Sequence, residues 1–279
     1  RDDAALMLAN IYLRQRKADE AAKVLTAIKA DSSAYRYAMF NLGVAQLQLQ
    51  QTPASDQTFG QLLQMPSSLE SEKALRDRTL LAQGYDLLRQ QQFDNAVARL
   101  RQVRLNGPYA NNAMLGLGWA YARNKQFPEA IAPWQTLAQR SHADLAVQEG
   151  RLALPYAYQQ MQALAEALDA YTSALNSFDQ EIGQIDLAIN SVRDGETLKN
   201  LLARLPEHRD TAATDDVVLT REGEQIYLGR VLTSHEFNAS FHRYQALRQM
   251  RDNMADWQRR LPVYTDMLVN HQRRFSERI

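Results

Sequence analysis

The chain has 279 residues, with 32 basic and 32 acidic side chains, 11 glycines, 8 prolines and no cysteine. Balanced charge provides no long-range field toward nucleic acid or an anionic membrane. Absent cysteine excludes disulfides and thiolate chemistry, and no apolar run approaches the ~20 residues needed to span a bilayer.

Few Gly and Pro beside abundant Ala, Leu, Gln and Arg favour helix. From the N-terminus, Leu8, Ala9 and Tyr12, then Ala21 and Leu25, form two apolar stripes at helical spacing around a short polar break. The layout recurs. A second unit has Leu42, Gly43, Ser55 and Phe59, with Gln46 in the place of Tyr12. A third has Gly84, Ala96, Leu100 and a closing Pro108. The fourth is the most complete, with Leu117, Gly118, Tyr121, Ala130 and Trp134. The fifth has Leu154, Tyr158, Ala167 and Tyr171, and Pro155 where the others favour a small residue. That proline is expected to kink or restart its helix.

Aligned on Ala21, Ser55, Ala96, Ala130 and Ala167, the units stand 34, 41, 34 and 37 residues apart. The longer interval places extra residues around Pro66 to Lys73, which either lengthen a joint or extend the next helix backwards. Asp19, Glu20, Asp56, Asp94, Glu129 and Glu166 fall near the starts of second helices, where they are expected to cap free N–H groups and complement the helix dipole. A helical hairpin cannot bury both its faces alone, so each needs its neighbours.

A helix-turn-helix period near 34 residues carrying L-G-x-x-Y and then A-x-x-x-aromatic resembles the tetratricopeptide repeat family over about residues 3 to 175. The resemblance implies an all-α fold, a right-handed α-solenoid of about five hairpins. In that family the first helices line a concave groove that holds an extended peptide or a partner's helix. Carried over position by position, the expected partner contacts are Asn10, Tyr37, Phe40, Val44, Tyr85, Leu88, Arg89, Trp119, Arg123, Tyr156 and Gln159. Leu6, Leu13, Leu47, Leu81, Leu115 and Leu152 share the same register, Leu115 and Leu152 having packing into the next repeat as their alternative. Exposed aromatics edged by Arg have the composition of a protein-binding hot spot. The family's carboxylate clamp of Lys, Asn and Arg is met only at Asn10, which argues against recognition of a chain terminus.

Beyond residue 175 the repeat signature stops. Phe178, Ile182, Ile185, Ile189 and Val192 step by four, three, four and three, a heptad-like seam ending at Asp194-Gly195. It reads as a cap for the solenoid over 176–205, with a short helix from Glu196 to Leu205, or as a coiled-coil-like seam for a second copy, giving a homodimer, or for a partner. Residues 206–233 read as a linker, with 217–228 either a hairpin or continuing helix. Thr233 and Glu236 fit a capping box opening the segment 234–279. Phe237, Phe241, Tyr244, Leu247, Met254 and Trp257 line one face there, before an expected break or kink at Pro262, after which Tyr264 to Phe275 can continue as helix. Arg259, Arg260, Arg273, Arg274 and Arg278 give either a solvated face or a dock for an acidic partner.

No active site emerges. His142, His208, His235, His242 and His271 lack the spacing of a metal set, and no phosphate loop or nucleophile elbow is present. No cofactor and no metal are expected. The sequence therefore points to a non-enzymatic scaffold or adaptor for a protein or peptide. The alternative is the helical accessory part of an enzyme, such as a cell-wall lytic enzyme, with its catalytic domain outside this chain. Cysteine-free composition fits a periplasmic or cell-envelope protein of a bacterium, with the cytoplasm as the alternative, and the opening at Arg1 without Met fits a removed signal sequence or a trimmed chain equally.

Overall fold

Each hairpin of the computed structural model closes on a residue in the left-handed backbone region: Arg16, Gln50, Gln91, Lys125 and Gln162, at φ between 59° and 62°. These stand 34, 41, 34 and 37 residues apart, the spacing of the sequence repeats. None is glycine. In every case the N–H of the next residue reaches back five residues, as in Lys17 to Tyr12 at 2.9 Å and Gln126 to Tyr121 at 2.9 Å. The left-handed residue itself donates three residues back, as Arg16 does to Leu13. This paired closure satisfies the last carbonyls of the first helix and turns the chain sharply into the second.

The structure describes residues 2–140, 144–197, 199, 228, 231–232 and 234–276, and among them there is no strand. Five first helices, α1 (Asp2–Arg14), α3 (Tyr35–Gln48), α5 (Glu70–Arg89), α7 (Ala110–Arg123) and α9 (Leu145–Gln160), alternate with second helices. The second helices are α2 (Ala18–Thr26), α4 (Thr52–Gln64), α6 (Phe93–Leu100), α8 (Phe127–Ala138) and α10 (Leu164–Arg193). Consecutive helices pack together from α1 through α9, and each first helix also touches the next first helix, α1 on α3, α3 on α5, α5 on α7 and α7 on α9. That pattern is an α-solenoid of stacked hairpins. The chain divides into two compact units, 1–179 and 180–279. The second contains α11 (His235–Ser276).

Helix pairing inside each repeat depends on a small residue facing a large one. A Cβ on Gly43, Gly84 or Gly118 would come within 3.0 Å of Phe59, Leu100 or Trp134 respectively. The second repeat departs from the family pattern at two positions, and the structure couples both departures to hydrogen bonds. Buried Ser55 donates to the Gly43 carbonyl at 3.0 Å, and Gln46 accepts from Thr58 at 2.8 Å.

Several expectations need correction. Pro155 does not restart its helix: α9 is continuous from Leu145 to Gln160, and the ring is fully buried. Tyr171, the fifth-repeat counterpart of the fully buried Trp134, is 41% exposed, so no fully buried ring occupies the space that Phe59 or Trp134 fills against glycine elsewhere. The missing N–H leaves a single carbonyl unpaired. α11 likewise runs through Pro262, on an exposed stretch where water can satisfy the released carbonyl. The second helices α2, α4, α6 and α8 have no side-chain cap, so Asp19, Glu20, Asp94 and Glu129 complement the dipole without capping, and Asp94 also accepts from the Asn124 amide at 3.1 Å. Asp56 lies beyond the first turn of α4.

The 41-residue interval resolves into an extended α5, 20 residues long against 14 for α3 and α7. Its added turns are anchored: Glu72 accepts from the Ser68 and Leu69 N–H groups, which hold its carboxyl below the usual range, and Arg36 lies 3.5 Å away. Buried Asp77 accepts from the Arg104 guanidinium at 2.8 Å. The seam on α10 does end at Asp194-Gly195, with Gly195 at φ +76°. Ser234, whose hydroxyl accepts from the Phe237 N–H, caps α11. Thr233, most of 196–205, the linker 206–227, His142, His208 and Arg278 lie outside the described residues.

Two glycines test this packing. Gly118→Ala is expected to lose about 1–3 kcal/mol by overpacking against Trp134. Gly60, on α4 with nothing within 4 Å of its Cβ position, is the control, and Gly60→Ala should gain about 0.5–1 kcal/mol. Chemical denaturation of both variants reads the difference.

Candidate partner-binding surface

Position along the first helices sorts the candidate residues. In unit 1 these helices form the inner layer, and bridges between neighbours run along it. Asn41 on α3 donates to Asn10 on α1 at 2.9 Å. The Tyr85 hydroxyl on α5 donates to the Asn112 carbonyl on α7 at 3.0 Å. The Trp119 indole on α7 donates to Glu149 on α9 at 2.7 Å. Tyr85 and Trp119 are 34 residues apart, one repeat, and each reaches the start of the following first helix. Equivalent repeat positions thus each tie an aromatic side chain, by its polar end, to the next first helix.

Around Trp119 an aromatic cluster forms. Its ring meets Trp134 edge-on at 5.0 Å between centroids and lies 6.1 Å from Tyr156, which in turn lies 6.1 Å from Phe127. Trp134 is fully buried, so Trp119 and Tyr156 form the half-buried outer layer of the cluster. Asn10, Tyr37, Tyr85, Arg89, Arg123 and Gln159 are exposed, as is Leu152, while Val44 is half-buried. Arg89 is steadied by Asp86, with Nε at 3.1 Å and Nη2 at 2.5 Å from the same carboxylate oxygen. Gln159 accepts from the Tyr171 hydroxyl at 3.4 Å.

Two of the sequence-derived contacts are not available. Phe40 is buried with 4% exposure, packed near Phe59 and covered by the Arg78 guanidinium 4.5 Å above its ring. Leu88 is buried with Ala96, Leu100 and Ala120. Both sit where the next repeat closes over its predecessor, a contact that helical register on one repeat does not reveal. Leu115 is buried as well, following its packing alternative, whereas Leu152 is open. Sequence reasoning missed Glu149 and Asn112. Their signal is periodic: each lies at the head of a first helix, one turn before its apolar stripe. Among the described residues no cluster of three potential metal ligands occurs, and no helix is long and apolar enough to cross a membrane.

The family model for the tetratricopeptide repeat matches residues 6–55 and 81–146. Those residues are tetratricopeptide repeats, and the unmatched stretch between them contains the extension of α5. No curated protein matches the sequence. Among solved structures, MamA from Desulfovibrio magneticus RS-1 is 16% identical, covering 63% of this chain and 93% of its own, at TM-score 0.48. A putative kinesin light chain with TPR-like repeats from Podospora anserina is 18% identical, covering 62% and 93%, at TM-score 0.49. MamA of AMB-1 is 20% identical, covering 64% and 96%, at TM-score 0.47. The chain folds as an α-solenoid of stacked helical hairpins, and its residues 6–55 and 81–146 carry the tetratricopeptide repeat, a family of protein–protein interaction scaffolds.

Tyr85 offers a spectroscopic handle on this surface. Burial of its phenol, and secondarily the Glu149 carboxylate, push its pKa from 10.0 up to about 12. The neutral hydroxyl's contribution to stability is therefore whole below pH 10 and is lost as pH rises through about 12. Alkaline titration of the folded chain by tyrosinate absorbance should show a late step that Tyr85→Phe abolishes and Glu149→Gln moves to lower pH.

Proposed function

We propose that the protein is a non-enzymatic adaptor that holds an extended segment or helix of another protein against the first-helix face of its solenoid. The observation that carries this reading is the row of pre-positioned aromatics, Tyr37, Tyr85, Trp119 and Tyr156, each open to solvent at least in part. Tyr85 and Trp119 are fixed by hydrogen bonds at their polar ends, so a partner gains apolar contact without ordering them. Arg89 and Arg123 edge the row and suit a segment with aliphatic or aromatic side chains and an acidic neighbour. Cysteine-free composition supports a place in a bacterial cell envelope, where the adaptor would recruit an enzyme or assembly component; fractionation of host cells checks this.

Capture from the host with the parent chain, compared with a Tyr85→Ala, Trp119→Ala double variant, identifies the partner. Each single substitution should then weaken binding of the purified partner by roughly 30-fold, about 2 kcal/mol, while helicity by circular dichroism is retained. Unchanged affinity in a folded double variant overturns this surface as the site.

A further inference from the structure

Three equivalent residues of the inner layer meet the aromatic side chains in different ways. Arg78 on α5, Asn112 on α7 and Glu149 on α9 stand 34 and 37 residues apart, the repeat intervals. Each contacts an aromatic residue of the preceding first helix. Arg78 lays its guanidinium over the Phe40 ring, 4.5 Å from the centroid. Asn112 offers its backbone carbonyl to the Tyr85 hydroxyl. Glu149 accepts the Trp119 N–H at the edge of the indole, 2.7 Å away. The α3–α5 joint therefore brings its own cation to an aromatic face, and the α7–α9 joint brings an anion instead.

That anion has no counter-ion. Glu149 is exposed and forms no ion pair among the described residues. Leu152, one turn along α9, is open beside it at 49% exposure. The rings near the carboxylate are those of the candidate surface. Trp119 is bonded to it, and Tyr156 lies 6.1 Å from Trp119 between centroids. Its field also reaches the Tyr85 phenol, where it is the second cause, after burial, of the raised pKa. An aromatic face carries negative electrostatic potential, so the carboxylate and the rings favour the same sign of ligand. The chain does not supply it: among the described residues the cation–π contacts are Arg78 on Phe40 and Arg101 on Tyr121, and none falls on Tyr85, Trp119 or Tyr156. Arg89 is held by Asp86, and Arg123, one turn beyond Trp119, lies over no ring.

We propose that this part of the surface is specific for a basic side chain. An arginine or lysine, set among apolar residues of the bound segment, pairs with Glu149 and rests on the Trp119 and Tyr156 rings. The proposal rests on the first-helix face being the binding surface, and adds the residue that the partner must carry. An aliphatic or acidic residue in its place would cover Glu149 without pairing it, and is selected against on that account.

Selection of short random peptides displayed on phage, with the full chain as bait, tests this. Peptides retained by the parent and lost on Trp119→Ala should share an arginine or lysine flanked by apolar residues. For a synthetic copy of one such peptide, Glu149→Gln should weaken binding about tenfold, while its amide oxygen still accepts from the Trp119 indole. Norleucine in place of the peptide's basic residue should cost the parent at least as much, and cost Glu149→Gln less. Selection on Glu149→Lys should favour an acidic residue instead. Circular dichroism is the control for retained helix. An empty selection, or peptides indifferent to Trp119→Ala, overturns the binding surface itself. Peptides that need Trp119 but carry no basic residue, or that bind Glu149→Gln as tightly as the parent, overturn the basic-residue proposal and leave the surface standing.

Discussion

The structure depends on how closely the two helices of one hairpin approach. Wherever a first helix carries Gly43, Gly84 or Gly118, the second helix drives Phe59, Leu100 or Trp134 into the space a side chain would have filled. The contact fixes interhelical distance and, with it, which flanks of the hairpin remain for its neighbours. Trp134 shows the consequence: its indole reaches the Leu115 carbonyl, its ring abuts Trp119, and the cluster continues to Tyr156 on the next first helix. Core packing and the outer aromatic surface are therefore one continuous object. The candidate binding face is rigid because the hairpin beneath it is.

Much of this could be read from sequence because it is periodic. The spacing of small and aromatic residues gave hairpin number and interval, and the left-handed turn residues reproduce those intervals. Hydrogen-bond compensation was not legible. Ser55 and Gln46 look like defects of the pattern until Gly43 and Thr58 are seen as their partners. Pro155 and Pro262 do not end their helices, because a proline removes one donor from a ladder that the rest of the helix keeps, Pro155 being buried and Pro262 open to water. The buried Asp77 with Arg104 was likewise invisible, since its pairing spans 27 residues and lies on the inserted turns of α5.

Helical register places Tyr85 and Trp119 on the first-helix face, where both reach solvent, yet Phe40 and Leu88 share that register and are buried. The difference lies in how far each neighbouring repeat overlaps its predecessor. Arg78, on the extended α5, is what closes over Phe40. An insertion of two helical turns thus reshapes the exposed face one repeat away, which is why a repeat-by-repeat transfer of contacts fails there.

The five polar residues at positive φ have a consequence for how the chain acquires its shape. Every first-to-second-helix connection is closed by bonds spanning only three and five residues, so closing a corner requires no distant contact. A nascent chain can therefore finish one corner after another as it leaves the ribosome, and add each completed pair to the growing stack in order of synthesis.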